Sequence, residues 1–301
     1  MSRLKRLMFV LSLFLLSPAA QAGEHHPQDT MLMPDWMKRI EISGSFLKND
    51  IWFEGETIQS LYQSPGKHHT VFVQGHVAYN RGDDFWTLNG GAGYRYLLED
   101  GSWLLGGSLW FDHQTDHGHE RVGASLEAIG QVITLRGNIY EATSGWKTVS
   151  NSPTTLVEEK ALDGFDVSLD GAVPYLPWLR VGAGYYQWDM PDDLPGAKDV
   201  RGVQANAMAQ ISDRIALEGV YKDDNYDSAF SGRVRIALGA LPEAEFTALK
   251  DGIANQAFTP RDLSKHTLTK VKRNHKIIVA RRVTDKNAPA AQGGGVFISA
   301  R

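Results

Sequence analysis

Between residues 84 and 127 the chain alternates apolar and polar positions through three consecutive runs, DFWTLNGGAGYRYLLEDGSWLLGGSLWFDHQTDHGHERVGASLE. In the middle run Trp103, Leu105, Leu109 and Phe111 share one face, while Ser102, Ser108 and Asp112 share the other. Successive side chains of a strand point to opposite sides, so the pattern predicts a sheet with one apolar and one polar face. A soluble sandwich and a membrane barrel both produce this alternation. The rest of the chain has to choose between them.

The same period of two recurs almost throughout. Ile40, Ile42 and Phe46 share a face in residues 39–46, and residues 51–62 form a weaker run in which Glu54 and Glu56 disturb the alternation. Residues 70–80 set Val71, Val73, Val77 and Tyr79 outward and Gln74, His76 and Asn80 inward. Further runs cover 131–140, 164–173, 178–188, 200–211, 214–222 and 231–238. This predicts about twelve strands of roughly ten residues, the length a tilted strand needs to cross a bilayer.

Arg95, Arg121, Glu127, Arg136, Asp166, Asp170, Arg180, Glu218, Arg233 and Arg235 all fall on the polar face. In a barrel they line a wet lumen, with the apolar face turned to lipid. Connection lengths favour the barrel. Long polar links (113–119, 141–162, 189–199, 223–228) alternate with short ones (99–101, 130, 174–177, 212–213), as in outer-membrane barrels. Trp86, Tyr94, Tyr96, Trp103, Phe111, Tyr140, Tyr185 and Tyr221 lie near strand ends, where interfacial aromatic girdles are expected. Lipid tolerates no unpaired sheet edge, so the expected fold is an all-β, twelve-stranded antiparallel transmembrane barrel over residues 39–240.

Residues 1–22 have the parts of a secretory signal peptide: Arg3, Lys5 and Arg6, the apolar run 7–16, and Ala20-Gln21-Ala22 as cleavage site. A polar leader, 23–38, is expected to follow. The chain has 301 residues, 42% hydrophobic content, a formal charge of −4 and no cysteine, which gives no sign of nucleic-acid binding and rules out a disulfide scaffold.

The runs TLNGGAGYRYL, WLLGGSLWFDH…HERVGASLEA, Ser144-Gly145-Trp146 and GFDVSLDGAVPYLPWLRVGAGYY resemble the translocation barrel of the intimin/invasin family, the inverse autotransporters of type V secretion. The likeness extends over roughly residues 39–283. It implies a twelve-stranded barrel, then a short helix and an extended linker that passes through the pore to an extracellular adhesin of immunoglobulin-like domains. It also implies an outer-membrane location in a Gram-negative bacterium, an association with virulence, and dependence on periplasmic chaperones and the barrel-assembly machinery.

The residues beyond the barrel agree. Pro242 can open a helix carrying Ala244, Phe246, Leu249 and Ile253, and LTKVKRNHKIIVARRV reads as an extended basic segment. Residues 241–283 are thus expected to act as plug or guide, with Phe246, Leu249, Lys272, Arg273, Lys276 and Arg281 foremost and Asp166, Asp170 and Glu218 as acidic partners. Residues 284–301 are too short for an immunoglobulin-like domain. The expected function is therefore a translocator for a secreted passenger supplied as a separate chain. Adhesion through the barrel's own loops, and a plain channel or truncated remnant, are the alternatives.

Asp112, His113, Asp116, His117, His119 and Glu120 have the composition of a Zn²⁺ site, but a structural loop is the favoured reading, and no metal or other cofactor is assigned. Arg81-Gly82-Asp83 suits a hairpin exit. Asp166 and Asp170 stand about 13 Å apart on one strand, too far for an acid/base pair, so no enzyme is expected.

Overall fold

A computed structural model describes residues 33–47, 50–194, 196–241, 248–249, 252–287 and 296–300. After a short helix α1 (Asp35–Lys38) come strands β1 (Ile40–Leu47), β2 (Asp50–Gln63), β3 (His69–Asn80), β4 (Phe85–Leu97), β5 (Trp103–Gln114), β6 (Glu120–Gly130) and β7 (Ile133–Ala142). Next are β8 (Lys147–Asn151), β9 (Thr155–Ala161), β10 (Asp163–Val173), β11 (Leu176–Asp189), β12 (Val200–Gln210), β13 (Ile215–Asp224) and β14 (Ser228–Ala237). Two more, β15 (Ile278–Asp285) and β16 (Val296–Ala300), end the chain.

β1 to β7 and β10 to β14 close into an antiparallel barrel of twelve strands, with β1 pairing β14 from Glu41↔Ala237 to Leu47↔Ser231. The alternation has its expected sense. Leu109 and Leu126 are each 71% exposed on the outer wall, while Arg95, Asp112 and Arg121 are fully enclosed. A wall apolar outside and charged inside is a lipid-facing wall.

β2 is a full strand of fourteen residues, although its alternation is weak in the sequence. Glu54 is buried inside, and Ile58 and Trp52 point inward beside it, so apolar and acidic residues share the inner face. That mixture blurred the sequence pattern.

Rings set over glycines tie neighbouring strands together. Phe72 faces Gly93, Trp110 faces Gly91, Trp188 faces Gly164, Tyr186 faces Gly202, Trp103 faces Gly130 and Phe46 faces Gly232, each as direct cross-strand partners. A methyl group on any of these glycines would lie within 3 Å of the opposing ring. Only a residue without Cβ leaves room for the ring to lie against the backbone, and each such pair specifies one register.

The link 141–162, expected to be a plain polar connection, carries the hairpin β8–β9 instead. It belongs to a second, four-stranded sheet in the order β16-β15-β9-β8. If the short turns mark the periplasmic side, this sheet stands at the extracellular mouth. Tyr140, placed among the girdle aromatics by its position near a strand end, is buried inside. Tyr94, Phe111 and Tyr221 do face outward, each nearly half exposed.

The signal peptide 1–22, nearly all of the leader, and Pro242 to Phe246 of the expected helix lie outside the described residues. Leu249 and Ile253 are exposed, at 46% and 76%, so neither fills the pore.

Candidate functional site

The barrel interior holds the chain's own segment 261–277. At the mouth with the short turns Arg261 Nη2 donates to Gly130 O at 2.7 Å and to Thr134 Oγ1 at 2.8 Å. Leu263 packs with Leu97, Leu104 and Ile129. The carboxylate of Asp262 accepts hydrogen bonds from the Ser264 hydroxyl and amide, which hold it below the usual carboxylate range.

Deeper in, the linker runs without a strand partner, and its backbone is satisfied by wall side chains. Gln74 takes Val271 N–H at 2.8 Å and gives its amide to Val271 O at 3.3 Å. Arg95 donates to Thr267 O at 2.8 Å, Arg121 to Asn274 O at 2.7 Å, and Asn89 to His275 O at 3.0 Å. Asn138 reaches Lys272 O at 3.4 Å, and Asn274 N–H donates to the Tyr140 hydroxyl at 2.8 Å. Enclosed peptide groups need such partners, and the polar inner face of the wall supplies them.

Charges are paired along the same path. Lys270 Nζ meets Glu41 at 2.8 Å, and Glu41 also binds Arg235 of the closing strand at 2.8 and 3.0 Å. Arg273 makes a two-pronged pair with Asp112 and lies over Trp110 and Tyr140. Lys276 Nζ sits 3.9 Å from the Trp52 ring centre. The His275 ring stacks on His76, centroids 4.1 Å apart. Val271 and Leu268 fill an apolar waist with Ile58, Phe72 and Trp110.

Of the sequence-predicted inward residues, Arg95, Arg121, Glu127, Arg136, Asp166, Asp170, Arg180 and Arg235 are buried, and Glu218 and Arg233 are partly so. Their partners differ from the expected ones. Asp170 is shared by Arg136 and Arg180, Asp166 accepts from Asn138 and Tyr140, and Glu218 lies 3.9 Å from Arg233. These acids make their direct contacts with the wall, while Lys272 of the linker acts on the Asp170 charge from further off. The linker cations bind Glu41 and Asp112 instead, neither of which was singled out from sequence as a partner. Glu41 shares the inner face of β1 with Ser43 and Ser45, whereas Glu54 lies on the mixed inner face of β2.

Arg281 lies beyond the lumen. It is in β15, where its guanidinium binds Glu159 at 2.7 and 2.8 Å. Arg282 binds Glu158 at 2.8 Å and covers Trp146. β15 pairs antiparallel with β9 from Val279↔Ala161 to Asp285↔Thr155, and β16 pairs with β15 on its other side. The apolar cap beneath includes Tyr140, Leu162, Trp188, Ile278 and Ala280. The linker therefore enters at one mouth and joins a sheet at the other.

A closed, lipid-faced barrel of this kind defines an outer-membrane β-barrel protein of a Gram-negative bacterium. The chain belongs to the inverse autotransporter family, whose beta-domain matches residues 28–240. An attaching and effacing protein homolog of Escherichia coli K12 is 29% identical over 44% of this chain and 43% of its own length. The inverse autotransporter adhesin YeeJ of the same organism is 24% identical over 52% of this chain but only 7% of its own. The chain thus spans less than half the length of these relatives. A structure solved in work on the in-meso crystallization of membrane proteins shares the fold, with a TM-score of 0.63 at 20% identity, over 80% of this chain and 97% of that one.

Proposed function

We propose that this protein is a translocator that carries its own C-terminal segment through the barrel and holds it at the cell surface. Residues 1–22 direct export, 39–240 form the conduit, and 241–283 are the part in transit. The observation that carries this reading is the linker itself, seated in the lumen from Arg261 to Ile277 and paired outside through β15.

Passage of a separate passenger chain is the weaker reading. It requires the linker to leave the lumen, breaking the Asp112–Arg273 and Glu41–Lys270 pairs and exposing the apolar waist. Whatever is displayed, an adhesin with immunoglobulin-like domains included, is carried beyond β15. Periplasmic chaperones and the barrel-assembly machinery are the partners such a chain requires on its way.

An epitope tag inserted after Lys286 tests the proposal in intact cells. Antibody labelling without permeabilisation is expected; labelling only after the outer membrane is breached overturns it. Comparing secreted proteins with and without the gene tests the separate-passenger route, which predicts the loss of one specific protein from the medium.

A further inference from the structure

The linker leans on one side of the lumen. Its backbone bonds go to β3–β7, where Gln74, Asn89, Arg95, Arg121 and Asn138 are buried. Across the lumen a patch of inward residues is only half-buried: Ser168 of β10, Gln204 and Asn206 of β12, Lys222 of β13, and Ser231 and Arg233 of β14. They are neighbours in register, Ser168 reaching Lys222 through Gly184 and Gln204, and Asn206 reaching Ser231 through Val220. Below them Met208, Ala216, Ala237 and Leu241 make a buried apolar floor. Above them Asp224 and Ala229 are again half-buried, toward the mouth with the long loops. Inward side chains that still meet water, above a closed floor, line a hydrated recess beside the linker.

The charges around this recess do not balance. Lys222 and Arg233 of the wall and Lys276 of the linker stand close enough for each to act on the next. Like charges held together in a partly enclosed space repel. The Lys222 ammonium lies 5.3 Å from the Tyr186 ring centre and that of Lys276 3.9 Å from Trp52, and neither makes an ion pair among the described residues. Lys272, also half-buried, acts on Asp170 only from a distance. The nearby acids are mostly committed. Glu54 meets Ser45, His76 and Arg233, and Glu56 meets Gln74 and His275. Asp166 accepts from Asn138 and Tyr140, Asp170 from Arg136 and Arg180, and Asp224 from Tyr186. What remains is Glu218, with a side chain 13% exposed and 3.9 Å from Arg233, and Asp50 near the rim. Against them stand three lysines and Arg233, whose side chain is 37% exposed.

We propose that this recess binds a small oxyanion of the phosphate class, held by the Lys222 and Lys276 ammoniums and the Arg233 guanidinium, with Lys272, Gln204 and Asn206 as further donors. Ammonium and guanidinium groups are donors only, and the side-chain amides add neutral N–H groups, so the set suits a ligand made of acceptors. The anion would turn a repulsion between wall and linker into a shared attraction. It would thereby tighten the linker on the side away from its bonds to β3–β7.

The test uses the full-length protein in detergent, titrated with inorganic phosphate at fixed ionic strength by calorimetry. Saturable binding of one phosphate per chain is expected. Lys222→Gln and Lys276→Gln each remove a charged donor and are expected to weaken it about tenfold or more. Lys222→Arg, which keeps the charge, and Lys198→Gln, on an exposed loop, are expected to bind. Phosphate is also expected to slow tryptic cleavage between Lys272 and Lys276 in the native protein but not in Lys222→Gln. Should Lys276→Gln unseat the linker or fail to fold, which the heat-dependent gel shift of the barrel reports, Lys222 on the wall still decides. The proposal is overturned by no saturable binding, by binding indifferent to Lys222, or by equal protection from sodium chloride at the same ionic strength.

Discussion

Arg273 grips Asp112 with both ends of its guanidinium, Nη1 to Oδ1 at 2.6 Å and Nη2 to Oδ2 at 2.8 Å. The same Oδ2 accepts from Arg121 Nε at 2.8 Å. One wall carboxylate therefore answers two enclosed cations, one from the wall and one from the linker. Removing Asp112 strands both, whereas removing Arg273 leaves Asp112 with Arg121. Stranding a buried charge costs on the order of 3–5 kcal/mol. Asp112→Ala is thus expected to destabilise the folded protein more than Arg273→Ala, as read by urea unfolding of the detergent-solubilised barrel. The reverse order would mean that the linker arginine, and not the wall acid, anchors the cluster.

Deleting residues 261–287 removes the segment that runs through the lumen from the Arg261 contacts to β15. In planar bilayers the intact protein is expected to conduct weakly, and the deletion variant to show large, steady openings. Indistinguishable traces would mean that the linker does not obstruct the lumen.

Val157 and Val283 face each other in the β9–β15 ladder. Opposed residues of antiparallel strands have Cα atoms about 4.5–5.5 Å apart, within the span of a disulfide. The chain has no cysteine of its own. Val157→Cys/Val283→Cys is expected to form an internal disulfide in exported protein, seen as a mobility change on non-reducing gels. Glu158→Cys/Val283→Cys, one residue out of register, is expected to cross-link far less. Equal yields would argue for a sliding rather than a fixed strand.

Gly91 and Gly90 are adjacent but see opposite sides of the wall. A methyl group on Gly91 would lie 2.6 Å from the Trp110 ring, while nothing stands within 4 Å of one on Gly90. Trp110 in turn lies beneath Arg273 and edges onto His275. Gly91→Val is therefore expected to push the ring into the linker, costing about 1–3 kcal/mol and raising protease sensitivity in residues 266–277. Gly90→Val is expected to leave both unchanged. If both variants behave alike, the ring–glycine contact does not hold the waist.

Most of the barrel is legible in the sequence because a lipid-facing wall enforces alternation. Leu105, Leu109 and Phe111 must face hydrocarbon, and their neighbours then face inward. The same rule located ten inward ionisable residues but could not match them, since pairing depends on register. Asp166 and Asp170 look available along the chain; in the fold Tyr140, Arg136 and Arg180 reach them first. β2 read weakly because Glu54 and Glu56 stand between the inward-facing apolar residues Trp52 and Ile58. The hairpin β8–β9 was missed for another reason. It is short, polar and exposed along β8, and it gains its partner only from β15, more than a hundred residues later.

The occupied lumen also bears on the cell that carries it. An outer membrane excludes bile salts and many antibiotics only while its pores are narrow. A barrel of this girth left open would be a breach in that wall, multiplied by every copy made. On the proposed reading Val271, Trp110 and the Asp112 cluster close the bore, and the protein could then be abundant at the surface without making its host leaky.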